Sequence, residues 1–143
     1  MARVKQQPWQ TVPYIRANGG CDVLDYLDRL RERKLRSWLH FEELRKQIIA
    51  RGPFDVGPPY WQAVGDSLFE ISWGHNRVYC SVEGQRIVMM YAAVYKLWPK
   101  FRSADRRKCE SGRDDVRSAA YDQEQRELKY LAFCQRRGKD GSL

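Results

Sequence analysis

Across Gly52-Pro53-Phe54-Asp55-Val56-Gly57-Pro58-Pro59 the hydrophobic period of the chain changes from helical to strand-like, and this switch constrains the fold most. Before it, Val23, Leu24, Leu27 and Leu30 recur at helical spacing behind Asp22, a suitable N-cap. Leu44 and Ile48 mark a second helix beside Phe41 and Ile49, with Ser37 as its expected cap and Gly52-Pro53 as its stop. These segments predict a helical hairpin. After the switch, YWQAV, LFEISW, RVYCSVE and RIVMMYAAVY alternate with Gly-Asp-Ser, Gly-His-Asn and Glu-Gly-Gln, which predicts a β-meander. Residues 9–16 read as a further short strand that should lie at a sheet edge or start late, because Pro13 has no amide hydrogen to donate. The expected class is α+β: an N-terminal helical hairpin on a twisted antiparallel sheet. A charged C-terminal helix is expected from Asp114 to about Arg137, with Val116, Ala120, Leu128 and Leu131 as its apolar positions.

A chain of 143 residues suits one domain, with its core at about 9–110 and a helical extension at about 111–137. No run approaches the roughly 18 apolar residues of a membrane span, and MARVKQQPWQ has no apolar signal region, so a cytoplasmic location is expected. Cys21, Cys80, Cys109 and Cys134 are scattered and only two histidines accompany them, which argues against a metal site or disulfide framework. No cofactor is expected.

The net charge of +8 favours a polyanionic partner, because basic surfaces gain from counterion release. Its distribution is uneven. Arg29 to Arg51 holds eight Lys/Arg against three Glu, and Lys96 to Lys108 holds six against Asp105 alone, whereas Gly52 to Tyr95 holds two Arg against four acids. The cations therefore form patches on either side of a near-neutral middle.

Strand alternation assigns side chains to faces. Phe69, Ile71 and Trp73 share one face, and Glu70 and Ser72 the other. A Gly84-Gln85 turn pairs Glu83 with Arg86, Val82 with Ile87 and Cys80 with Met89. Val78, Cys80, Val82, Ile87, Met89 and Tyr91 then face the core, while Arg77, Tyr79, Ser81, Val88, Met90 and Ala92 line the opposite, open face. Lys96 joins that face if the strand continues, and the register across His75-Asn76 sets Ser72 beside Tyr79. Arg77 reads either as a phosphate contact or as a cross-strand partner of Glu70. The apolar strip of Val88, Met90 and Ala92 calls for a protein partner or for cover by the C-terminal helix.

Asp25-Tyr26-Leu27, the Leu44 to Gly52 helix end, Pro58-Pro59, Asp66-Ser67-Leu68-Phe69-Glu70-Ile71, Arg77-Val78-Tyr79 and Arg86-Ile87-Val88-Met89-Met90 leading to Tyr95-Lys96 occur in that order. In this order and spacing the chain resembles the RelE/ParE toxin superfamily, particularly its HigB-like branch, over roughly residues 9 to 110. The resemblance implies the toxin of a type II toxin–antitoxin system, acting as a ribosome-dependent, metal-independent mRNA endoribonuclease. ParE-like members with the same fold inhibit DNA gyrase, so a non-nuclease binding protein is the alternative. The implied partners are a cognate antitoxin of helix-turn-helix type, in a hetero-oligomer with the toxin, and the ribosome with its mRNA.

Cleavage by 2′-hydroxyl attack needs a proton acceptor, cations for the crowded phosphate and an acid for the leaving 5′-oxygen. The resemblance assigns Arg77 and Lys96 to the phosphate. Tyr79 and His75 are the candidates for proton transfer; His75, beside Arg77, reads either as a turn residue or as an imidazole that exchanges protons near neutral pH. Lys100, Arg102, Ser72 and Arg86 are expected to contact RNA, and Trp98, between two lysines, either to stack on a base or to seal the end of the sheet. Relatives often carry basic residues where this chain has Glu70 and Ser72, and histidine near Tyr91. His40, inside the second helix, reads as structural at a half-buried boundary.

Overall fold

The computed structural model of the chain describes residues 8–94 and 103–138. The helical spacing before Gly52 resolves into α1 (Asp22–Arg33) and α2 (Leu35–Arg51), followed by one short turn, α3 (Pro53–Val56). Gly52 ends α2 at φ +88°, a conformation in which a Cβ would be strained, and Pro53 opens α3. Both expected caps are displaced. Cys21 is the N-cap of α1, and α2 starts behind Lys34, so Ser37 lies within the first turn. Its carbonyl and hydroxyl instead accept bonds from Trp73 and Asn76.

Five strands form one sheet: β1 (Gln10–Pro13), β2 (Trp61–Gly65), β3 (Leu68–Trp73), β4 (Asn76–Glu83) and β5 (Arg86–Val94), in the order β1-β5-β4-β3-β2. The four-strand meander is antiparallel, but β1 runs parallel to β5 at the edge. The sheet is therefore mixed rather than purely antiparallel, and the first described element is a strand rather than the helical hairpin. The class is α+β.

The β4–β5 register begins as the Gly84-Gln85 turn requires, with Glu83 opposite Arg86 and Cys80 opposite Met89. A bulge then makes Tyr91, not Met90, the partner of Tyr79. Because one inserted residue reverses strand parity, Tyr91 moves to the Tyr79 face and Ala92 to the opposite one. Both differ from the expected faces, and the parity argument that joined Lys96 to Arg77 presumed an unbroken strand. Across the β3–β4 turn, Ser72 opposes Arg77 and Glu70 opposes Tyr79, a shift of two that leaves every face unchanged.

Each face of the sheet has its own core. On one, Val23, Leu27 and Leu30 of α1 and Phe41, Leu44 and Ile48 of α2 pack on Ile71, Val78, Cys80, Ile87 and Met89. Phe41 and Trp73 meet with ring centroids 4.9 Å apart. On the other, Leu68, Tyr79, Val88 and Met90 are closed by Cys109 of α4 (Ser103–Val116). The face expected to be open is thus largely covered.

In place of the single weak helix expected from Asp114 to about Arg137 there are two, α4, which already begins at Ser103, and α5 (Gln123–Arg136), which Asp122 caps by accepting from the Gln125 amide. Arg106 anchors α4 to the β2–β3 turn by donating to Asp66 and to the Val64 carbonyl. In α5, Tyr130 and Cys134 join the first core. Arg126 binds the Ile15 carbonyl at 2.7 Å and Asp115 at 2.9 Å, fastening α5 to α4 and to the segment after β1. Gly19, at φ +93°, lies where a Cβ would come within 2.7 Å of the Lys129 carbonyl oxygen. No helix among the described residues is long and apolar enough to cross a membrane.

Candidate nucleic-acid interface

Arg77 occupies the second position of β4, with its side chain on the face covered by α4. Its Nη1 donates to the carbonyls of Gly74 at 2.9 Å and Asn76 at 2.8 Å, and its Nε lies 3.9 Å from Glu70 Oε2. Glu70 Oε1 accepts from Gln62 Nε2 at 2.6 Å. Arg77 and Glu70 are 9% and 7% exposed, so the guanidinium serves the β3–β4 turn and its neighbouring strand. Of the two sequence readings, this geometry favours the partner of Glu70. Tyr79 is 1% exposed between Leu68 and Val88, and Ser72 is half-buried opposite Arg77.

The same turn has a different character on its outer side. Tyr26 of α1 donates its phenol hydrogen to Asn76 Oδ1. Asn76 Nδ2 donates to Ser37 Oγ at 3.0 Å, and Trp73 Nε1 donates to the Ser37 carbonyl at 3.1 Å. This network locks the β3–β4 turn against the helical hairpin. Burial pushes the Tyr26 phenol up to about 12, although Arg29 draws it down, so it remains a donor at neutral pH.

A cavity of about 500 Å³ opens beside that network. Arg29 and Arg33, one helical turn apart at the end of α1, line it together with Lys34 and His75. Leu30 and Val94 supply apolar wall, and among the described residues no carboxylate lines it. Arg29, Arg33, Lys34 and His75 are exposed, and none forms an ion pair among the described residues. Such a cluster attracts anions because nothing within its wall neutralises it, and a concave surface concentrates the field.

The structure thus gathers His75, of the expected residues, with three cations that the sequence marked as part of a basic patch without assigning them to a site. The available signal was the charge excess from Arg29 to Arg51 and the four-residue spacing of Arg29 and Arg33. Arg86 does not join them: exposed and opposite Glu83, it lies six residues along the hairpin from Arg77, about 20 Å at strand rise. Lys96, Trp98, Lys100 and Arg102 lie outside the described residues. His40 is exposed on α2 rather than at a half-buried boundary. Among the described residues no group of three His, Cys, Asp or Glu is arranged to hold a metal ion.

The chain matches no protein-family model, and a search of curated proteins found no significant relative.

Proposed function

We propose that this protein is an RNA-binding toxin component of RelE-like type that inhibits translation on the ribosome, holding RNA phosphates in the cavity beside the β3–β4 turn. The observation that carries this reading is the cluster of Arg29, Arg33, Lys34 and His75 around one cavity whose described wall holds no carboxylate. The packing of α1 and α2 on one face of the sheet supports this reading, although the parallel edge strand β1 lies outside the purely antiparallel sheet that the resemblance implies.

The reaction proposed is cleavage by attack of the 2′-oxygen on the adjacent phosphorus, which expels the 5′-oxygen and leaves a 2′,3′-cyclic phosphate and a 5′-hydroxyl end. Arginine and lysine side chains stabilise the charge that builds on the phosphate, and an imidazole can carry the transferred proton. In this reading His75 exchanges the proton, Arg29, Arg33 and Lys34 hold phosphate, and Arg77 fixes the turn that carries His75. Lys96, Lys100 and Arg102 add phosphate contacts, and Trp98 stacks on a base. A cognate antitoxin of helix-turn-helix type restrains the toxin in a hetero-oligomer in the cytoplasm.

A second reading, a RelE-fold binding protein without nuclease activity such as a gyrase inhibitor, is favoured by the internal engagement of Arg77 and the burial of Tyr79. Induced expression followed by transcriptome-wide RNA 5′-end mapping separates the two. Codon-phased cuts that disappear in His75→Ala and in Arg29→Ala/Arg33→Ala/Lys34→Ala support the nuclease. Growth arrest with intact RNA and damaged DNA supports the gyrase inhibitor and refutes the nuclease.

A further inference from the structure

The bulge in β5 does more than alter register, because it turns Tyr91 toward α4, where a second cleft of about 580 Å³ lies. Arg107, Lys108 and Ser111 line it from α4 at positions within one turn of each other. The Lys108 ammonium stands 4.8 Å from the centre of the Tyr91 ring. Arg107 and Lys108 are exposed and form no ion pair among the described residues.

Two acids lie near this pair. Asp22 lines the cleft but is held by Arg16 at 2.6 Å. Asp105 is buried one turn before Lys108. Burial, the Asp105 charge and a hydrogen bond to Asp105 raise the Tyr91 phenol above its ordinary value despite the opposing pull of Lys108, so it stays protonated at neutral pH and a phosphate oxygen must take its hydrogen from Asp105. The cleft also depends on the absence of a side chain at Gly112, where a Cβ would meet Met90 Sδ at 3.0 Å and the Tyr14 ring at 3.1 Å. An atom there would press on a Tyr14 ring already held by Asp115 at 2.7 Å.

We propose that this cleft binds a phosphate monoester, with Arg107 and Lys108 holding the dianion and the Tyr91 and Ser111 hydroxyls donating to its oxygens. A monoester fits better than a carboxylate or a phosphodiester because it offers three free oxygens and close to two negative charges to two cations and two hydroxyls. The site is separate from the His75 cavity. It takes the monoester whether that group ends an RNA strand or belongs to a free nucleotide.

The test is calorimetric titration of the full chain with adenosine 5′-monophosphate, with adenosine, and with one short RNA carrying either a 5′-phosphate or a 5′-hydroxyl. The monophosphate should bind saturably and about tenfold or more tighter than adenosine, the expected scale for charge-assisted hydrogen bonds. That preference should collapse in Arg107→Ala/Lys108→Ala, weaken several-fold in Tyr91→Phe, and persist in Lys46→Ala, which removes an exposed cation on α2. Equal preference for the 5′-phosphorylated RNA assigns the source to RNA ends, and preference confined to the mononucleotide assigns it to free nucleotides. Absence of saturable phosphate-dependent binding, or its survival in Arg107→Ala/Lys108→Ala, overturns the proposal. Neither result bears on RNA cleavage, so this site and the nuclease reading fail independently.

Discussion

Arg77→Ala separates a structural arginine from a ligand-facing one. The substitution removes two hydrogen bonds from a charged donor to the Gly74 and Asn76 carbonyls, each worth about 1.5–3 kcal/mol. It also leaves Glu70, 7% exposed, without its neighbouring cation and with Gln62 as its remaining hydrogen-bond partner among the described residues. Breaking a buried pair from one side costs about 3–5 kcal/mol, and the 3.9 Å separation places this pair toward the low end. At roughly 3–4 °C per kcal/mol for a domain of this size, the melting temperature should fall by roughly 10–15 °C. Urea denaturation followed by tryptophan fluorescence, with thermal unfolding followed by circular dichroism, measures both quantities. Adding Glu70→Gln should recover part of the loss, since a neutral amide leaves no uncompensated charge. If Arg77→Ala stays within about 0.5 kcal/mol of the wild type while abolishing RNA binding, the reasoning is wrong and the guanidinium faces ligand.

Asp115 supplies a pH-dependent contribution to stability: burial pushes its carboxyl up, but hydrogen bonds from Arg126 and Tyr14 outweigh that and hold it below the ordinary carboxylate range. A lowered folded value stabilises above the unfolded pKa of about 4, and the contribution disappears as pH falls through the folded value. Asp115→Asn should therefore be less stable at pH 7 by about 1–3 kcal/mol and should lack this acid-side loss; parallel urea profiles from pH 7 to 3 would argue against the network. The four cysteines are all buried, and burial pushes the Cys21 and Cys109 thiols up to about 12. A colorimetric disulfide reagent should find almost no reactive thiol in the native protein and four in denaturant, whereas rapid native labelling would show that the cores open readily.

The helical hairpin was legible because Leu27, Leu30, Leu44 and Ile48 repeat at helical spacing and each is buried as that spacing requires. The start of the β4–β5 pairing was legible from its turn. The bulge was not: RIVMMYAAV is apolar almost throughout because both faces of β5 are covered, so no alternation marks the inserted residue. Nor does SADRRKCESGRDDV advertise α4 as a cover, since it buries only Asp105, Cys109 and Gly112. The edge position of β1 followed from Pro13, but its direction depends on β5, a distant partner that local patterning does not specify. At the site, His75 stood out as a histidine in a turn. Arg29, Arg33 and Lys34 looked like any solvated helix surface until the β3–β4 turn, fastened by Asn76, closed a cavity beside them.

Salt-dependent binding of a fluorescent single-stranded RNA measures most directly whether this cavity holds RNA phosphate. Anisotropy titrations of the wild type and Arg29→Ala/Arg33→Ala/Lys34→Ala from 50 to 200 mM salt provide that measurement. Each phosphate neutralised on a single strand contributes about 0.7 to the slope of log affinity against log salt, so removing three cations should lower the slope by about 2. Affinity at the low-salt end should fall about hundredfold, with secondary structure unchanged because all three side chains are exposed. Unchanged affinity together with an unchanged salt slope would contradict the assignment.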